Sequence, residues 1–219
     1  MRRGAPFLLS LALVACAGGE TRTRHYANGQ TWSEIRLQDG VPDGRWRTWY
    51  QNGEPKSDGA YARGARDGAW TAWWENGQKQ SEGRYAHGRE DGPWTWWFAS
   101  GERASAGAFV DGAPEGVWND WYGDGRPRSL ATYHAGKPDL VVRSFHPNGA
   151  PDEEWTYRAG VLSGPYRAFD DDGAARVIGE YAHGKASGLW LFFRADGSVD
   201  PELAGQYEDG ARVRPWTGE

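Results

Sequence analysis

Large apolar or aromatic residues recur along this chain at Leu37, Tyr61, Tyr85, Phe109, Tyr133, Tyr157, Tyr181 and Tyr207, every 24 residues except for a last interval of 26. Polar and apolar positions follow the same order between them, so the chain copies one supersecondary unit in tandem. The unit reads Tyr-x-x-Gly-x-x-x-Gly-x-Trp-x-x-Trp-aromatic-x-Asn-Gly, then a polar stretch that ends in Gly, and is clearest from Tyr61 to Gly83. Its aromatic segment, Ala69 to Trp74, is too short for an independent helix; Asn76-Gly77 is a hairpin turn signal and Gln78 to Tyr85 a second extended segment. Gly64 and Gly68 bracket the loop into the next copy, where positive φ is needed. The pattern predicts an all-β fold, an elongated antiparallel β-meander of tandem 24-residue hairpins with about fourteen to sixteen strands at two per repeat. A β-propeller is the runner-up, since two units would make a four-stranded blade, but the 48-residue alternation that blades would impose is missing.

Three columns stay apolar. Beside the tyrosine column run Trp46, Trp70, Trp94, Trp118, Val142, Tyr166 and Trp190, and then Trp49, Trp73, Trp97, Trp121, Phe145, Phe169 and Phe193. All three read as core. The last two are three residues apart, which in a regular strand places them on opposite faces. Either both faces are covered or each strand carries a bulge, and the sequence accommodates both. The next column, Tyr26, Tyr50, Trp74, Phe98, Tyr122, His146, Asp170, Arg194, ends in charges that a core would reject. It predicts a partly solvent-facing aromatic stripe, and Tyr50, Trp74, Phe98 and Tyr122 are the candidate interaction surface.

The repeat from Tyr133 to Thr156 departs furthest from the unit. Leu140 replaces a loop glycine, Val142 the tryptophan, His146 the aromatic, and Trp155 stands where Gly59, Gly83, Gly107 and Gly179 stand elsewhere. Drift in a tolerant repeat accounts for this, as does a site, in which case Arg143, His146 and Trp155 are the candidate secondary residues. Arg212, Arg214 and Pro215 on the last strand would blunt a sheet edge.

The first residues carry a different pattern. Arg2 and Arg3 precede an apolar run from Ala5 to Val14, about half the ~20 residues of a membrane-spanning helix, which is the layout of a secretory signal. Leu13-Val14-Ala15-Cys16 resembles the bacterial lipobox, and Cys16 is the only cysteine of the chain. The resemblance implies a signal peptide over residues 1–15, lipidation at Cys16, a lipidated tether over 16–24 and a repeat domain of about seven full copies over 25–219. Ala17 after the cysteine implies, by the same resemblance, the outer membrane facing the periplasm. Loss of Arg2 and Arg3 moves the formal charge from −5 to −7, which disfavours nucleic acid and anionic lipid as partners. One cysteine excludes an internal disulfide.

No nucleophile, zinc, phosphate-loop or dinucleotide fingerprint occurs, and no cofactor or catalytic residue is expected. Asp170-Asp171-Asp172-Gly173 occupies the place of Trp74-Glu75-Asn76-Gly77 and reads as a turn rather than a cation loop. His87, His134 and His183 lie repeats apart and read as solvated loop residues, not as a metal site.

The stretch Asp67-Gly68-Ala69-Trp70-Thr71-Ala72-Trp73-Trp74-Glu75-Asn76-Gly77, with Gly83-Arg84-Tyr85-Ala86-His87-Gly88 after it, resembles the MORN repeat variant found in bacterial proteins labelled YwqK-family antitoxins. The resemblance runs from Tyr26 to about Trp216 and implies a non-enzymatic β-scaffold that binds a protein or a membrane. An exported chain could serve as an antitoxin only against a toxin delivered to the periplasm. Glycan or peptidoglycan binding through the exposed aromatics is the other alternative.

Overall fold

Within Lys79–Ala86 the residues Ser81, Gly83 and Tyr85 alternate with Glu82 and Arg84, and this period of two sends apolar and small side chains to one face and charges to the other. The small and apolar side recurs as Ser57, Gly59 and Tyr61 and as Ser105, Gly107 and Phe109, while the other side varies from charges to the alanines of Arg103–Val110. In the computed structural model, which describes residues 15–16 and 19–218, the described residues form strands and turns without a helix. They divide into two units, Met1–Ala113 and Pro114–Glu219.

Unit 1 contains β1 (Ala15–Cys16), β2 (Gly19–His25), β3 (Thr31–Gln38), β4 (Val41–Trp49), β5 (Pro55–Ala62), β6 (Ala65–Arg66), β7 (Gly68–Trp73), β8 (Lys79–Ala86), β9 (Arg89–Glu90), β10 (Gly92–Trp97) and β11 (Arg103–Val110). Unit 2 contains β12 (Ala113–Trp121), β13 (Pro127–His134), β14 (Lys137–Phe145), β15 (Pro151–Arg158), β16 (Val161–Phe169), β17 (Ala175–Ala182), β18 (Lys185–Phe192), β19 (Gly205–Glu208) and β20 (Ala211–Pro215). Within each unit successive strands pair antiparallel, as in Trp70↔Gly83 and Tyr166↔Gly179, except that β6 and β7 both pair with β5, and β9 and β10 both with β8. This is a meander of hairpins, and no pairing closes a propeller blade.

There are more strands than the repeat count predicts, for two reasons. Bulges before Gly68 and Gly92 cut two strands in two, and the sheet extends ahead of the first aromatic column. The stretch read as a tether is strand β2 from Gly19 onward, paired through Glu20↔Leu37 and Arg22↔Ile35. It has no aromatic column to reveal it, because its side chains are short or charged. Residues 1–14, and with them most of the expected signal peptide, lie outside the described residues, as does the side chain of Cys16.

The two ends of each hairpin use different turns. Trp74–Gly77 is a three-residue hairpin turn: the amide of Gly77 donates to Trp74 O (2.9 Å), that of Trp74 to Gln78 O (2.8 Å), and Gly77 alone takes positive φ, +82°. The opposite end closes in two residues. Arg63 and Gly64 both have positive φ, 48° and 86°, the type I′ geometry, and His87-Gly88, Ala135-Gly136 and His183-Gly184 repeat it. These turns are tied to the preceding copy: the amide of Gly64 donates to Pro42 O and that of Gly88 to Arg66 O. The Asp170–Gly173 stretch is a three-residue turn like Trp74–Gly77, with the Ala174 amide on Asp172 Oδ1 (2.9 Å).

Register settles where the columns go. At the bulge the pairing passes from Tyr61↔Arg66 to Asp58↔Thr71, a slip of two residues. An even slip keeps the alternation of faces, so the tyrosine and second columns share one face. The odd slip lies beside the three-residue turn, between Ala72 and Trp73, where the unmatched residue is Gln80 of the partner strand. The strands carrying the second and third columns are therefore regular between them, and Trp49, Trp73 and Trp97 lie on the opposite face, half-buried. The third column is not core, contrary to the reading from hydrophobicity alone.

Candidate functional site

On the apolar face of unit 1 the rings form a herringbone. Trp46, Tyr61, Trp70, Tyr85, Trp94 and Phe109 follow one another edge to face, with centroids 5.9, 5.5, 5.7, 5.1 and 6.4 Å apart and interplanar angles from 73° to 88°. Each such pair adds about 0.5–1.5 kcal/mol beyond the area buried. Small residues make the arrangement possible. Trp70 lies flat over Gly59 and Trp94 over Gly83, each indole Nε1 donating at 3.1 Å to the next carbonyl, Ala60 O and Arg84 O.

All of these rings but Phe109 line a groove of about 320 Å³, with Thr48, Ser57, Thr71 and Ser81 as its hydroxyl residues. Thr48 Oγ1 and Ser57 Oγ are 2.5 Å apart and bonded to each other. Unit 1 is one sheet, and no second layer covers this face among its described residues. The single charged residue of the lining is Arg66. Its guanidinium carbon sits 4.7 Å from the Trp70 ring centre and 5.1 Å from that of Tyr85, and Nη1 donates to Tyr85 Oη at 3.0 Å. Burial raises the Tyr85 hydroxyl pKa above the tyrosine norm; Arg66 opposes the rise and the Glu90 carboxylate adds to it. The chemistry on offer is recognition: aromatic edges, hydroxyls and one guanidinium, with no nucleophile beside a base.

Arg66 was missed by a reading that followed apolar columns. The signal was present in its own column, where Pro42, Arg66, Glu90, Pro114, Pro138, Leu162 and Ala186 show that the fold does not require a cation.

The residues predicted as an interaction stripe are half-buried and their polar tips are engaged. In unit 1, Tyr50 Oη donates to Trp73 O at 2.8 Å and Trp74 Nε1 to Trp97 O at 3.0 Å; Phe98 has no donor. In unit 2, Tyr122 Oη donates to Phe145 O at 2.7 Å. Tyr50, Trp74 and Tyr122 each clamp the end of the next hairpin, and asparagines assist, as where Asn52 Nδ2 reaches Glu75 O.

Arg143, His146 and Trp155 do not converge. Arg143 pairs with Glu154 at 2.8 Å, on the face opposite Trp155. His146 Nε2 donates to Phe169 O at 3.0 Å, the same clamp as Tyr122. Trp155 fills the apolar face between Val142 and Tyr166, its cross-strand partners. A large residue in the glycine column is thus matched by smaller ones in the tryptophan column. Arg212 donates to the carbonyls of Pro201, Glu202 and Ala204, tying the last hairpin to the inserted turn.

Among the described residues no group of three or more His, Cys, Asp or Glu side chains is placed to hold a metal ion, and no helix is long and apolar enough to cross a membrane. No curated protein matches the chain. Residues 42–62 and 66–87, the part of unit 1 that carries Trp46, Tyr61, Trp70 and Tyr85, match the family model of the MORN repeat variant, so this part of the chain is similar to a MORN-type repeat.

Proposed function

We propose that the chain is a non-catalytic repeat scaffold that binds another protein through the apolar face of unit 1. The observation that carries this is the composition of the groove: Trp46, Trp70, Trp94, Tyr61, Tyr85 and Arg66 are of the three residue types that dominate binding energy at protein interfaces. Glycan stacking is less well served. A sugar needs an open ring face, whereas the herringbone covers faces and leaves edges, with Trp94 only 6% exposed. Tyr50, Trp74 and Phe98 in unit 1 and Tyr122 in unit 2 are the second candidate surface, offering ring atoms because their donors are spent on backbone.

A photo-crosslinking residue at Ser81, on the groove, and another at the exposed Ala69, which pairs with Arg84 and lies outside the groove lining, would test this in the native cell. The scaffold reading expects a discrete protein captured from Ser81 and not from Ala69. Equal, diffuse capture from both would sink it.

We further infer that this scaffold is lipid-anchored at a bacterial cell envelope. The reading rests on Arg2, Arg3, the Ala5–Val14 run and Cys16. Labelling with a fatty-acid analogue should be lost on Cys16→Ser; labelling unchanged by that substitution would rule out the anchor.

A further inference from the structure

Arg66 differs from Arg45 and Arg47 of its sheet. Arg45 is paired with Asp58 at 2.5 Å and Arg47 with Glu34 at 2.8 Å, both on the opposite face. Arg66 has no carboxylate partner among the described residues, and its position in the repeat is filled elsewhere by proline, leucine, alanine or, at Glu90, an acid. Stacking on Trp70 and Tyr85 holds the guanidinium plane, and hydrogen bonds to the hydroxyls of Tyr85, at 3.0 Å, and Tyr61 use part of its five N–H donors. The fork that remains suits a bidentate carboxylate.

We propose that the groove binds an acidic linear segment of the partner protein, with an Asp or Glu carboxylate on Arg66 and the flanking apolar side chains against the ring edges of Trp46, Tyr61 and Trp70. This rests on the protein-binding reading above and adds the chemistry of the partner. The charge pattern favours it: Arg66 is the only charged residue of the lining in a chain of net charge −5, too little positive charge for a polyanion and enough for one carboxylate. The volume of about 320 Å³ is at the small end of ligand sites and suits a few residues, with Thr48, Ser57 and Ser81 available to backbone groups. Glu90 is the one acid set against binding. It pairs across the strands with Tyr85, on whose hydroxyl Arg66 also rests, so its charge weakens an incoming carboxylate.

The test is an array of random linear peptides, each printed also with Asp and Glu changed to Asn and Gln, probed with the full chain and its Arg66→Met, Arg66→Lys and Glu90→Gln variants, with circular dichroism to confirm that each is folded. Binders should carry an acid next to apolar residues and lose about tenfold or more in affinity as their amide versions, as expected for a charge-assisted fork. R66M should lose about as much, R66K should keep part of the affinity, and E90Q should bind a few-fold more tightly. Shifts of the Trp70 and Trp94 indole N–H signals on adding the best peptide should place it in the groove. Binders without an acid, binding indifferent to R66M, or no saturable binder would each overturn the proposal. A protein crosslinked from Ser81 in the cell and still captured by R66M would overturn the carboxylate chemistry alone and leave the scaffold reading standing.

Discussion

Gly83 and Trp94 occupy one space. A β-carbon built on Gly83 falls 2.1 Å from Cδ2 of the Trp94 ring, and Gly179 meets Trp190 at 2.2 Å in the same way. The indole replaces the missing side chain and covers the strand from its own face. Gly83→Ala must therefore push the ring off its neighbour and should destabilise unit 1 by about 1–3 kcal/mol, in the range of overpacked cores. Combined with Trp94→Val, the alanine should cost clearly less than the two changes added, because the residues contact each other. Chemical denaturation followed by tryptophan fluorescence measures both; simple additivity would refute the shared-space account.

The fifth copy shows how much of this was legible in the sequence. The 24-residue period, the turn glycines and the meander follow from local chemistry repeated many times, so the pattern exposes them. Trp155 in a glycine column looked like a candidate site because its compensation is not local: Val142 and Tyr166 lie on different strands and make room only once register is known. The third aromatic column misled for a related reason. Trp73 is as apolar as Trp70, and hydrophobicity alone does not say that three residues of regular strand turn it to the other face. Arg66 lay hidden because a cation beside conserved spacing says nothing until two rings are seen to hold it.

Leu140 is strained outside the turns of that copy. It has φ of +64° where Gly68, Gly92, Gly116, Gly164 and Gly188 take the positive φ without a β-carbon, and its side chain is 61% exposed. A left-handed conformation costs an L-residue roughly 1–2 kcal/mol. Leu140→Gly should stabilise unit 2 by about 1 kcal/mol, since little packing is lost, with part of the gain offset by glycine's greater freedom when unfolded. A lower denaturation midpoint for this variant would show that the leucine contributes packing that outweighs its strain.

Glu115 gives the type I′ turn at Ala135-Gly136 a pH dependence. Its carboxylate accepts the Ala135 amide at 2.8 Å and lies 3.0 Å from His134 Nδ1, and these hydrogen bonds, the backbone one first, hold its pKa below the ordinary glutamate value. A depressed folded pKa means that the stabilisation is present above the unfolded glutamate value and is lost as pH falls through the folded one. The protection factor of the Ala135 amide, its exchange relative to the free-chain rate at the same pH, should therefore fall on acidification in that window, and Glu115→Gln should flatten the profile. An amide whose protection ignores pH between about 5 and 3, around the reference value of 4.3, would contradict the assignment.

Tyr50 joins two copies through one hydrogen bond, from its hydroxyl to Trp73 O at 2.8 Å. Tyr50→Phe keeps the ring and removes the donor, leaving a half-buried carbonyl short of a partner, and should cost about 0.5–1.5 kcal/mol. Tyr50→Ala should cost more, since it also strips the ring from Lys56, whose ammonium lies 5.3 Å from the ring centre. The phenylalanine variant separates the two roles of this column: if the stripe serves the fold through its polar tips, Tyr50→Phe lowers stability and leaves partner capture from Ser81 unchanged. If it serves the interface through its donors, capture falls while the denaturation midpoint stays put. The clamp geometry, shared by Tyr26 on Trp49 O and His146 on Phe169 O, predicts the first outcome.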